Sequence, residues 1–129
     1  STYQSHSTSN PTSFAQAGGV AALEKGEAEV RKMKEVFEKR RNLFISELKK
    51  ISQFKVFIPQ GAFYAFINIE GTGLDSMKLT ERLLEEARVA VVPGAVFGSD
   101  RHIRLSFACS EQDLLEASSR MAKWVSELH

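Results

Sequence analysis

The chain holds a single cysteine, Cys109, so no disulfide can form within it and a cysteine-rich zinc site is excluded. Its three histidines, His6, His102 and His129, share no helical or metal-ligand spacing, and no metal is expected. Net charge is almost absent: 17 Lys and Arg stand against 16 Asp and Glu, a balance of +1. Neither a nucleic acid nor a membrane surface gains support as a partner from such a balance. No apolar run approaches the roughly 18 residues of a membrane span. No secretory signal opens the chain, and a reducing, cytoplasmic setting is expected. The motifs GxGxxG, GxxxxGKS/T and GxSxG are missing, and with them the simplest signs of dinucleotide, nucleotide or acyl-transfer chemistry. The first residue is Ser1 and a polar stretch, STYQSHSTSN, follows, as in a processed start or an excised piece.

What is present suits one globular domain. The length of 129 residues allows a sizeable core, and 43% hydrophobic with 26% charged residues is ordinary for such a domain. In SNPTS, Asn10 is placed to cap a helix with Pro11 as its first residue. Gly18 and Gly19 weaken that helix by about 1 kcal/mol each relative to Ala, and Gly26 marks a break. From Glu27 to Ser52, Val30, Met33, Phe37, Phe44, Leu48 and Ile51 recur at helical steps among Lys, Arg and Glu. The basic run EKRRN reads as a solvated face.

Strands and helices then alternate. FKVFI and AFYAFINI read as strands on either side of a turn at PQG, where Gly61 allows a sharp bend before Phe63 and Tyr64. Asp75 or Ser76 caps a helix running to about Arg88. VAVVPG is a short strand and HIRLSFA the last one. Ser110 with Asp113 makes an N-terminal capping arrangement for a closing helix. The predicted fold is α/β: a two-layer small domain over 27–129, with a mixed sheet of about four short strands covered by helices. An N-terminal helical arm over 1–26 precedes it.

No self-sufficient catalytic centre is visible. Cys109 has no base beside it and reads as a small packing residue. In HIRLSFA, Ile103, Leu105 and Phe107 alternate with Arg104, Ser106 and Ala108. Arg104 therefore occupies the face opposite the apolar one, near the aromatic residues of PQGAFYAF and the glycine-bracketed Phe97. Its planar fork suits a carboxylate. Two readings are open on these grounds: a ligand carboxylate, or an acid of the same domain or solvent.

Four stretches in order, QSHSTSNPTSFAQAGGVAAL, PQGAFYAF, VAVVPGAVFG and IRLSFACS, carry a resemblance that covers essentially the whole chain. Together they resemble the C-terminal part of the fold type I, class I/II aminotransferases that use pyridoxal 5'-phosphate, closest to bacterial aspartate aminotransferases. The resemblance implies that Arg104 clamps the substrate α-carboxylate and that Phe63 lines the substrate pocket. It implies that Ser9 and Asn10 lie where a second subunit approaches the neighbouring site of a homodimer. It further implies that the Schiff-base lysine, the partner of the pyridinium nitrogen and the phosphate cradle lie upstream in a large domain. The chain alone should then be inactive, with no catalytic residue of its own. Some aspartate-specific members carry a side-chain-binding arginine where this chain has Ser5. The expected parent moves an amino group between an amino acid, aspartate-like or broad, and a 2-oxo acid. A β-lyase, an aminocyclopropane-carboxylate synthase, or a free-standing small-molecule-binding or interaction domain are the alternatives.

Overall fold

In a computed structural model, residues 2–128 are described; Ser1 and His129 lie outside the described residues. Two compact units are distinguished, with the division between Glu35 and Val36.

In the first unit, helix α1 spans Thr2–Thr8 and helix α2 spans Ser13–Lys25. The predicted start of α2 is corrected. Thr12, not Asn10, precedes its first turn, and no side chain caps it. Asn10 instead donates its backbone N–H to the Thr8 carbonyl, in a bend where Ser9 takes the left-handed φ of 65°. That geometry ends α1 and leaves Asn10 in the wrong place to cap α2. Neither α1 nor α2 contains a buried residue. Helix α3 begins directly after the Gly26 break, over Glu27–Leu48, and its last turns carry the buried Phe44, Ile45 and Leu48. It stops earlier than the periodicity suggested, because a turn at Lys49 and Lys50 redirects Ile51 and Phe54 into the core.

The second unit is built on three strands: β1 over Tyr64–Asn68, β2 over Val92–Pro93 and β3 over His102–Ser106. The order is β1-β3-β2, and both pairings are antiparallel. The α/β architecture is as the sequence implied, but the mixed sheet of about four strands is corrected on two points. β3 inserts between β1 and β2 and runs against both, so the two parallel strands never become neighbours. FKVFI contributes only one bridge, Lys55 to Asn68. Pro59 lacks a donor and restricts the residue before it, and the preceding Phe57 and Ile58 turn outward instead of extending the ladder.

One face of this sheet is covered. Ala65 and Ile67 of β1 and Ile103 and Leu105 of β3 are buried with Phe107. Against them pack helix α4, over Ser76–Glu86, through Leu79 and Leu83, and helix α5, over Glu111–Ser126, through Leu114, Met121 and Val125. Burying each such side chain contributes about 1.5–3 kcal/mol. Both helices start as the sequence indicated. The Asp75 carboxylate accepts from the Lys78 N–H, and Ser110 and Asp113 complete a reciprocal capping box.

Candidate functional site

The uncovered face of the sheet carries the polar and aromatic side chains. Because side chains alternate along β3, burial of Ile103 and Leu105 puts His102, Arg104 and Ser106 on the opposite side. Arg104 pairs in register with Phe66 of β1 and Val92 of β2, so it sits mid-sheet on the central strand. Its guanidinium carbon lies 4.3 Å from the centre of the Tyr64 ring and 4.6 Å from that of Phe97. Arg31, Arg41, Arg82, Arg101 and Arg120 are each paired with a carboxylate. Arg104 has no such partner among the described residues. A cleft of about 160 Å³ opens beside it, lined by Tyr64, Ala90, Val91, Val92, Arg104 and Ser106.

Local backbone chemistry sets up this arrangement. Pro93 ends β2, and Gly94–Phe97 form one 3-10 turn that closes at Gly98 with a left-handed φ of 80°. Gly94 is pressed against the carbonyl oxygens of Ser99 and His102, leaving no room for a side chain. This tight turn delivers Phe97 over Arg104. On the other flank, at the bend expected around Gly61, the residue that takes a left-handed φ before β1 is Ala62, with φ 56°. Ala62 orients Phe63, whose carbonyl accepts from the Phe107 N–H at 2.9 Å.

Phe63 is 41% exposed, stacks on Phe37 at 6.0 Å between ring centres and leans on Tyr64 at 4.5 Å. It is thus one ring removed from Arg104. His102 stacks on Phe66 at 4.7 Å, and its Nδ1 pairs with the Ser99 hydroxyl at 2.7 Å. The structure brings Arg104, Phe63, Tyr64 and Phe97 together within the second unit. Ser9 and Asn10 are exposed residues of the first unit. Tyr64 is one of the aromatic residues expected near Arg104; antiparallel pairing of β1 with β3 is what selects it among them.

Cys109 borders a separate cleft of about 310 Å³ with Phe44, Leu105 and Leu114. Burial, and then the Asp113 carboxylate, push its thiol pKa up, the reverse of what an activated nucleophile needs. Among the described residues no cluster of three or more His, Cys, Asp or Glu could hold a metal. No helix among them is long and apolar enough to cross a membrane.

The second unit is thus an α/β domain that carries Arg104, with no carboxylate partner among the described residues, on the open face of an antiparallel sheet. Residues 2–121 match the family described as aminotransferase class I and II, and the chain belongs to that family. It is 43% identical to an aspartate aminotransferase of Pyrococcus horikoshii, over 88% of this chain and 30% of the relative. It is 44% identical to a probable aspartate/prephenate aminotransferase of Aquifex aeolicus, over 96% of this chain and 33% of the relative. The crystal structure of an aspartate aminotransferase from Rhizobium meliloti superposes with a TM-score of 0.93 at 35% identity, covering 99% of this chain and 34% of that one. A Thermus thermophilus aspartate aminotransferase with maleate superposes at 0.87 and 38% identity, over 95% and 32%. The chain therefore spans about a third of the length of these relatives.

Proposed function

We propose that this chain is the C-terminal, substrate-clamping domain of an aminotransferase dependent on pyridoxal 5'-phosphate, with residues 27–129 as the small domain and 1–26 as an arm. Arg104 binds the α-carboxylate shared by the amino-acid and 2-oxo-acid substrates. The observation that carries this reading is an arginine held mid-sheet against two rings, with no carboxylate among the described residues engaging its fork. A bidentate guanidinium fixes the plane of a bound carboxylate as well as its position, which orients the Cα substituents of the substrate. Phe63 forms part of the apolar wall beside it. The cleft of about 160 Å³ is smaller than the roughly 300–1,000 Å³ of complete small-molecule sites, consistent with one wall of a site shared with another domain.

The residues present do not fit the anchor of the cofactor. Every lysine among them is solvent-exposed, whereas a Schiff-base lysine must be desolvated or electrostatically activated to lose its proton. In this reading the cofactor is held by residues outside the chain, and the chain alone is inactive. The parent is a cytoplasmic homodimer in which Ser9 and Asn10 approach the neighbouring subunit's site. Maleate, named with the Thermus relative, is a dicarboxylate and supports an aspartate-like or broad substrate range. The uncharged Ser5, where some aspartate-specific members carry arginine, weighs toward the broad end.

The test is steady-state kinetics of the complete enzyme. Arg104→Ala should lower kcat/KM by roughly two to four orders of magnitude for every amino acid, since two charge-assisted bonds and the orientation are lost. Arg104→Lys should restore only part, because an ammonium cannot reproduce the fork. Unchanged kinetics combined with a large loss of stability would mean that Arg104 is structural and the clamp assignment is wrong.

A further inference from the structure

Tyr64 and Phe97 take a role that rests on the α-carboxylate reading of Arg104: we infer that they are positioning residues, whose rings hold the guanidinium in the plane that receives the carboxylate. A long arginine side chain in solvent samples many rotamers, and a clamp that must first be ordered loses affinity. Most arginines of this chain are ordered by carboxylates, which consume the same N–H donors that a ligand needs. Arg104 is held differently. Its guanidinium carbon is 4.3 Å and 4.6 Å from two ring centres, and an aromatic face attracts the cation without accepting a conventional hydrogen bond. The charge is thereby oriented while its fork stays free.

The two rings are themselves supported from separate directions. Tyr64 belongs to β1 and is backed by Phe63, which stacks on Phe37. Phe97 closes the turn that follows β2 and meets the edge of Phe66 at 6.2 Å, and Phe66 in turn stacks on His102. Since β3 lies between β1 and β2, the two supports come from the elements on either flank of Arg104. What the two rings supply is orientation.

Double-mutant kinetics of the complete enzyme distinguish this role from the clamp itself. Phe97→Leu and Tyr64→Leu should each lower kcat/KM roughly threefold to thirtyfold, the range of a cation–π contact, and equally for substrates with different side chains. Phe97→Tyr and Tyr64→Phe keep the rings and should stay within about twofold of the wild type. In an Arg104→Ala background, Phe97→Leu should add less than about twofold, because nothing is left to position. If Arg104→Ala cripples the enzyme but the ring deletions act equally with and without Arg104, or act in neither, the positioning role is wrong and the clamp stands. Loss of activity in Phe97→Tyr together with a lowered unfolding midpoint would mark a packing role and overturn it too. If Arg104→Ala leaves kinetics intact, the clamp reading itself has failed.

Discussion

At the scale of single residues, the arrangement around Arg104 depends on Gly94, which packs against backbone on two sides. A Cβ at Gly94 would collide with the carbonyl oxygens of His102 and Ser99, both backbone atoms that cannot step aside. Gly94→Ala should therefore destabilise the domain by about 1–3 kcal/mol, the usual cost of overpacking, visible as a lower urea midpoint. It should also move the turn that carries Phe97. Gly61→Ala is the matched control: nothing lies within 4 Å of its added Cβ, and the change should stay within about 0.5 kcal/mol. Equal effects at the two positions would show that the close packing around Gly94 is not what requires glycine. Arg104 was legible from sequence because alternation along HIRLS separates its face from that of Ile103 and Leu105. The rings over it were only partly legible. Phe97 stood out between two glycines, but its approach to Arg104 depends on how its turn is seated, with Gly94 against the His102 carbonyl and the Ala95 N–H donating to the distant Ser76 hydroxyl. The left-handed Ala62 carries no compositional signal, since glycine beside it is the more permissive choice.

At the scale of elements, α4 and α5 are joined by a polar latch outside the apolar core. The Glu86 carboxylate accepts from the Arg82 guanidinium at 2.7 Å and from the Trp124 indole N–H at 2.6 Å, and Arg82 also lies over the Trp124 ring. The Arg82 bond first, and the Trp124 bond second, hold the Glu86 pKa below its ordinary 4.5. A depressed carboxylate pKa contributes stability that is present above the unfolded value and is lost as pH falls through the folded one. The stability lead of the wild type over Glu86→Gln should therefore shrink on acidification from about pH 6 to pH 3. A gap that stays constant over that window would mean the carboxylate charge does not matter to the latch. Helix existence was readable here from Asp75, Ser110 and the apolar periodicity. Strand pairing was less so: antiparallel insertion of β3 between β1 and β2 depends on partners far apart in sequence, and alternation within each strand does not name its neighbour. The short run of β2 follows from Pro93, whose missing N–H ends the ladder.

At the scale of the whole molecule, the balance between what the chain holds and what transamination needs becomes testable. In this reading it presents an arginine for the substrate carboxylate and an aromatic wall, yet every lysine is on the surface. Substrate binding and cofactor binding are therefore separable in this reading, with the clamp on one domain and the carbonyl chemistry on another, and closure between them brings the two together. Incubating the isolated chain with pyridoxal 5'-phosphate, reducing with borohydride and mapping the modified lysines by mass spectrometry checks this. Exposed lysines react slowly and without preference, so modification should be sparse and spread over several positions. Addition of an amino acid should release no 2-oxo acid. Stoichiometric labelling at one lysine, with turnover of an amino acid, would place a complete catalytic centre inside these residues and overturn the division of labour proposed for the two domains.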